Sequence, residues 1–125
     1  MFTDAQPVGF VSTTDTERAR RFYTDVMGLS LIDDGFALVA TVGGGKLRIT
    51  TLPAFTASEM PCFGFLVADV TAVVRGLAAK GVAFIRYEFL GDAQDADGIW
   101  NGPNGAQVAW FKDPDGNLLS IAPAC

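Results

Sequence analysis

The fold is decided by "TDTERARRFYTDVMG", residues 14–28, and by its echo "DVTAVVRGLAAKG", residues 69–81. In the first stretch Ala19, Phe22, Tyr23 and Val26 recur at i, i+3, i+4 and i+7. That spacing gathers them on one helical face and leaves Arg18, Arg20, Arg21 and Asp25 on the others. Thr14 followed by Glu17 fits a capping box, with Asp15 a rival N-cap, and Gly28 is the residue type that accepts the left-handed conformation after a last turn. The second stretch repeats the plan. Asp69 opens it, Val70, Val73, Val74 and Leu77 make the apolar stripe, and Gly81 stops it.

The flanks repeat as well. "VGFV" before the first helix resembles "FGFL" before the second, and "GLSLI" after the first resembles "GVAFI" after the second, a spacing of about 55 residues that points to duplication. Three β-rich runs follow the first helix, at 29–34, 36–42 and 46–51, split by turn signals at 33–35 and 43–45. The second half offers runs at 62–68, 83–89, 106–112 and 118–122, interrupted by the long loop "LGDAQDADGIWNGPNG". The reading is an α+β fold of two βαβββ modules, module one at 1–52 and module two at 62–125, joined by a linker at 53–61. One helix covers one face of each small sheet, so the two uncovered faces are expected to surround a shared cleft.

Composition narrows the function classes. Half of the 125 residues are apolar and 18% are charged, which is globular rather than disordered usage. The longest apolar runs are strand-length, short of the roughly 18 residues a membrane span needs. No basic stretch precedes an apolar one near the N-terminus, so a secretory signal is not expected and a cytoplasmic location is. A net charge of −5 without a Lys/Arg cluster argues against nucleic acid as partner. Cys62 and Cys125 make no disulfide framework, and Cys62, inside an apolar run, reads as a small core residue.

The doubled module, the "DTERARRFY" of the first helix with Gly28-Leu29 after it, and "WFKDPDGNLLSI" at 110–121 resemble the vicinal oxygen chelate superfamily. That superfamily includes glyoxalase I, extradiol dioxygenases and bleomycin-resistance proteins. The resemblance covers nearly the whole chain and implies a single glyoxalase-like domain over 1–125 and a homodimer. It also implies that a metal-dependent member would hold one divalent ion with His, Gln or Glu on the first and last strand of each module. Those positions are Val8, Arg48, Cys62 (or Phe63) and Ser120 here, in a chain with no histidine. Such a set lacks the converging oxygen and nitrogen donors that a divalent ion needs, so neither metal nor cofactor is expected.

Other chemistry-bearing patterns have plainer readings. Asp92, Asp95 and Asp97 lack the spacing and closing glutamate of a calcium loop. Asp113-Pro114-Asp115-Gly116 is turn chemistry, "TVGGGK" a hairpin loop, and Cys62 has no base to activate it. Strand alternation sets Lys46, Arg48 and Thr50 on one face and Leu47 and Ile49 on the other, so Arg48 should face the cleft and pair with a surface carboxylate or with a ligand anion. Trp100 offers a flat apolar surface to a planar ligand, or anchors its loop; Trp110 suits a site or a core equally. The expectation is a metal-free protein that binds a small organic molecule, anionic or aromatic, in a cleft lined by Val8, Phe10, Arg48, Thr50, Cys62, Trp100 and Ser120. The alternative is a lyase or dioxygenase of the same superfamily acting on a small carbonyl or aromatic substrate.

Overall fold

In the computed structural model, which describes residues 1–124, Asp15 rather than Thr14 caps the first helix. The Asp15 side chain accepts the Arg18 N–H at 3.1 Å. The expected capping box does not form, because the Thr14 N–H donates instead to Asp115 Oδ1 at 3.0 Å and Glu17 turns to Arg20. Helix α1 spans only Thr16–Arg21 and widens into a π-type turn over Phe22–Val26. There the Thr24 hydroxyl donates to the Arg20 carbonyl at 2.6 Å, a back-bond that competes with the regular helical pattern, and the Met27 N–H reaches five residues back to Phe22. Gly28 follows at φ +73°, as its place after the last turn requires.

The chain divides into two compact units. One comprises Met1–Ser58 with Asp113–Asn117, and the other Glu59–Lys112 with the strand from Leu118 onward. In the first unit strands β1 (Val8–Thr13), β2 (Leu31–Asp33), β3 (Leu38–Val42) and β4 (Gly45–Thr51) form a sheet in the order β1-β4-β3-β2. β1 runs parallel to β4 and the other pairs are antiparallel. Val11, Leu38, Ala40, Leu47 and Ile49 are buried, as are Ala19 and Tyr23 of the helical segment. Each large aliphatic side chain so buried contributes roughly 1.5–3 kcal/mol. The alternate residues Phe10, Val39 and Arg48 lie on the opposite sheet face, as the alternation predicts.

The turn 113–117 is part of this first unit, and its chemistry is built on Asp113. Oδ1 accepts the N–H groups of Asp115 (3.0 Å) and Asn117 (2.9 Å), while Oδ2 accepts the Tyr23 hydroxyl (2.6 Å) and the Asn117 amide (2.8 Å). Burial pushes the Asp113 carboxyl above its ordinary range, against the pull of Tyr23 and Asn117. Two residues on, burial also opposes ionisation of Asp115. Hydrogen bonds from Thr13, Thr14 and Arg18 outweigh it and hold that carboxyl low.

The second unit repeats the topology. Strands β5 (Phe63–Val67), β6 (Trp100–Asn101), β7 (Gln107–Lys112) and β8 (Leu118–Pro123) stand in the order β5-β8-β7-β6, again with the outer pair parallel. Helix α2 (Val70–Ala79) is capped by Asp69, which accepts the Ala72 N–H at 3.0 Å. Val70, Val74, Leu77, Ala109, Phe111, Leu119 and Ile121 are buried.

Two expectations need correction here. The run 83–89 is not a strand. Phe84 makes a single bridge to Phe111, the Ile85 N–H reaches the Trp110 carbonyl, and a 3-10 segment begins at Glu88. The buried Gln94 accounts for this: its side chain accepts the Tyr87 N–H (2.7 Å) and donates to the carbonyls of Ile85 and Gly98 (both 3.0 Å), taking the backbone groups a sheet neighbour would need. Trp100–Asn101, from the long loop, becomes the fourth strand instead. Cys62 is exposed rather than buried, because it precedes β5 and its N–H and thiol both turn to the Leu118 carbonyl at the sheet margin. Among the described residues no helix is long and apolar enough to cross a membrane.

Candidate functional site

On β7 the buried Ala109 and Phe111 alternate with Val108 and Trp110, so the tryptophan stands on the face away from the core. Across the sheet Trp110 pairs with Ser120 and Ser120 with Gly64. A Cβ at position 64 would come within 2.7 Å of Ser120 Oγ, so this row of small residues stays low beside the indole. The other flank of Trp110 meets Tyr87, ring edge to ring face, with centroids 5.2 Å apart, and Tyr87 in turn leans on Phe89 at 5.6 Å. Trp100 lies opposite Val108, which makes it a diagonal neighbour of Trp110 on the same face, a relation that sets Cβ atoms about 7–8 Å apart.

These residues, with Glu59, Met60, Pro61 and Leu90, enclose a pocket of about 410 Å³. Its walls are almost wholly apolar, and the one charged group is the exposed Glu59. The wall formed by 87–100 is held from within. Gln94 clamps Tyr87 as described, and Asp95 accepts the N–H groups of Asp97 (2.9 Å) and Ile99 (3.0 Å) and the Asn101 amide (3.1 Å). Burial opposes the charge on Asp95, and those donors pull its carboxyl below the ordinary range. Arg86 donates to the carbonyls of Asp95 and Ala96 and Arg75 to Asp97, so both cations are committed to the loop.

The residues expected to line a site are distributed as follows. Val8, Phe10, Arg48 and Thr50 share the open sheet face of the first unit, where Phe10 is 61% exposed and directly opposite Arg48. Arg48 has the internal carboxylate that a structural reading requires: its Nη1 donates to Asp34 Oδ2 at 2.9 Å. Asp34 is held low by the N–H groups of Phe36 and Ala37 and then by Arg48 itself. In the second unit Ser120 sits beside Trp110, Cys62 lies at the margin before β5, and Trp100 alone of the seven lines the aromatic pocket. Sequence reasoning left out Glu59, Met60, Tyr87 and Phe89 and did not choose between site and core for Trp110. The alternation of Ala109 and Phe111 around Trp110 was the available signal.

The model of the Glyoxalase/Bleomycin resistance protein/Dioxygenase superfamily matches residues 8–121. The chain belongs to that superfamily. Several solved structures share its fold at low identity. A glyoxalase family protein from Bacillus anthracis is 16% identical with a TM-score of 0.76, covering 97% of this chain and 95% of its own. Lactoylglutathione lyase from Agrobacterium tumefaciens is 19% identical with a TM-score of 0.71, covering 96% and 93%. TnmS3, an antibiotic binding protein from Streptomyces sp. CB03234, is 22% identical with a TM-score of 0.73, covering 100% and 99%. No curated protein matches the sequence.

The metal site of metal-dependent superfamily members does not fit this chain's residues. At the four positions the resemblance implies, Val8 offers no donor atom, Arg48 is a cation already paired with Asp34, Cys62 offers one thiol turned to the Leu118 carbonyl at the sheet margin, and Ser120 offers a neutral hydroxyl. Among the described residues no three His, Cys, Asp or Glu side chains converge.

Proposed function

We propose that this superfamily member is a binding protein that takes up a small planar organic molecule, without a metal ion, in the aromatic pocket of its second unit. The observation that carries the reading is that both tryptophans of the chain, together with Tyr87 and Phe89, wall a space of about 410 Å³, within the size range of small-molecule sites. Aromatic walls bind flat ligands through dispersion and offset stacking and ask little rotamer entropy of themselves. An antibiotic-binding protein of the same fold supports sequestration as the outcome. The reading extends to a homodimer in the cytoplasm, and sedimentation showing only monomer at high micromolar concentration would remove the dimer.

Because Trp100 and Trp110 are the only two tryptophans, intrinsic fluorescence reports on this pocket directly. Titration with planar compounds such as quinoline and naphthol is expected to give saturable quenching, one site per chain, unchanged by a chelator and lost in Trp110→Leu. Saturable binding that persists in Trp110→Leu would move the site elsewhere, and binding that needs an added divalent ion would refute the metal-free reading.

A further inference from the structure

Nine side chains line the aromatic pocket, and Glu59 is the one among them with a formal charge. We propose that the pocket selects an organic cation, an aromatic or quaternary ammonium compound whose positive charge sits between the Glu59 carboxylate and the faces of the surrounding rings. This rests on the binding reading above and names the ligand class it leaves open.

Aromatic rings carry negative potential on their faces and attract cations, tryptophan most strongly, and here two indoles, Tyr87 and Phe89 surround one space. Glu59, exposed and part of the lining, adds the one formal negative charge, and among the described residues its side chain is engaged in no ion pair. No cation lines the pocket to balance it. Arg75 is bound to Asp97 and Arg86 to loop carbonyls, while Lys112, next along the Trp110 face of β7, is not part of the lining. An anionic ligand would therefore meet an uncompensated carboxylate. A neutral one would gain only the rings. A cation gains both, and the net charge of −5 favours its approach.

Three probes of nearly one shape test this: benzyltrimethylammonium, its neutral isostere neopentylbenzene, and the anion phenylmethanesulfonate, each titrated by tryptophan quenching at low and high salt. The cation is expected to bind roughly three- to thirtyfold tighter than the neutral isostere, with the anion weakest. Glu59→Gln should bring the cation close to the isostere, leave the isostere unchanged and abolish most of the salt dependence, with an unaltered melting temperature showing that the fold is intact. Equal affinity for cation and isostere, or a cation affinity untouched by Glu59→Gln, overturns the charge assignment and leaves the pocket standing. Absence of saturable quenching by all three probes overturns the pocket reading and the inference with it.

Discussion

Replacing Gly102 by alanine should displace Trp100. The backbone at 102 has φ −101° and ψ −172°, which alanine adopts freely, so the substitution introduces no conformational strain. It introduces a collision: the new Cβ would lie 2.6 Å from Trp100 Cζ2 and 2.9 Å from Cζ3, and nearer still to Cη2. The backbone is poorly placed to yield, because the Gly102 N–H is held by the Ala106 carbonyl at 2.8 Å. The indole must swing instead, and since it is only half-buried the cost to folding should stay near the lower end of overpacking, about 1 kcal/mol. The cost to binding should be larger, because one aromatic wall is lost, worth roughly three- to tenfold in affinity. In a Trp110→Phe background the emission comes from Trp100 alone, and Gly102→Ala should shift it to the red and raise its quenching by acrylamide. An unshifted emission, with unchanged affinity in the parent background, would refute the packing of Trp100 on Gly102 and its role in the wall.

Asp113→Ala removes the acceptor of four hydrogen bonds from a buried site and should cost about 3 kcal/mol, read as a lower urea midpoint, with Tyr23→Phe costing about 1–2 kcal/mol. A loss below about 1 kcal/mol in Asp113→Ala would mean that the turn does not organise the first unit. The pH dependence has two opposing parts. Asp34, Asp95 and Asp115 lie below their ordinary 3.8 in the folded protein, so they stabilise it above that pH and the stability is lost as pH falls through their folded values. Asp113 lies above 3.8, so its contribution runs the other way: stability declines as pH rises from 3.8 through its folded value. Asp113→Asn should abolish that decline and keep the acid-side loss, and a parent-like profile in the variant would contradict the assignment. Arg48→Met should change stability by no more than about 1 kcal/mol, since Arg48 and Asp34 are 31% and 35% exposed. A variant that weakened an anionic ligand tenfold or more would return Arg48 to a binding role.

The amino-acid sequence by itself determined the repeated βαβββ plan, because its signals are local. The apolar stripe Val70, Val74 and Leu77, the stop at Gly81 and the alternation of Leu47 and Ile49 with Arg48 each depend on neighbours within a turn or a strand. The 113–117 turn was legible for the same reason. What tertiary structure decided depends on partners far along the chain. Asp113 receives Tyr23 from 90 residues away, and the Thr14 N–H is claimed by Asp115, 101 residues on, which leaves the capping role to Asp15. The run 83–89 alternates like a strand, yet the Gln94 side chain claims its backbone groups, and which acceptor a backbone N–H finds is not written in periodicity. The aromatic pocket is the extreme case. It gathers 59–61 from a linker, 87, 89 and 90 from the start of a 3-10 segment and residues 100, 108 and 110 from two strands, four segments that share no pattern and meet only because the sheet brings them to one face.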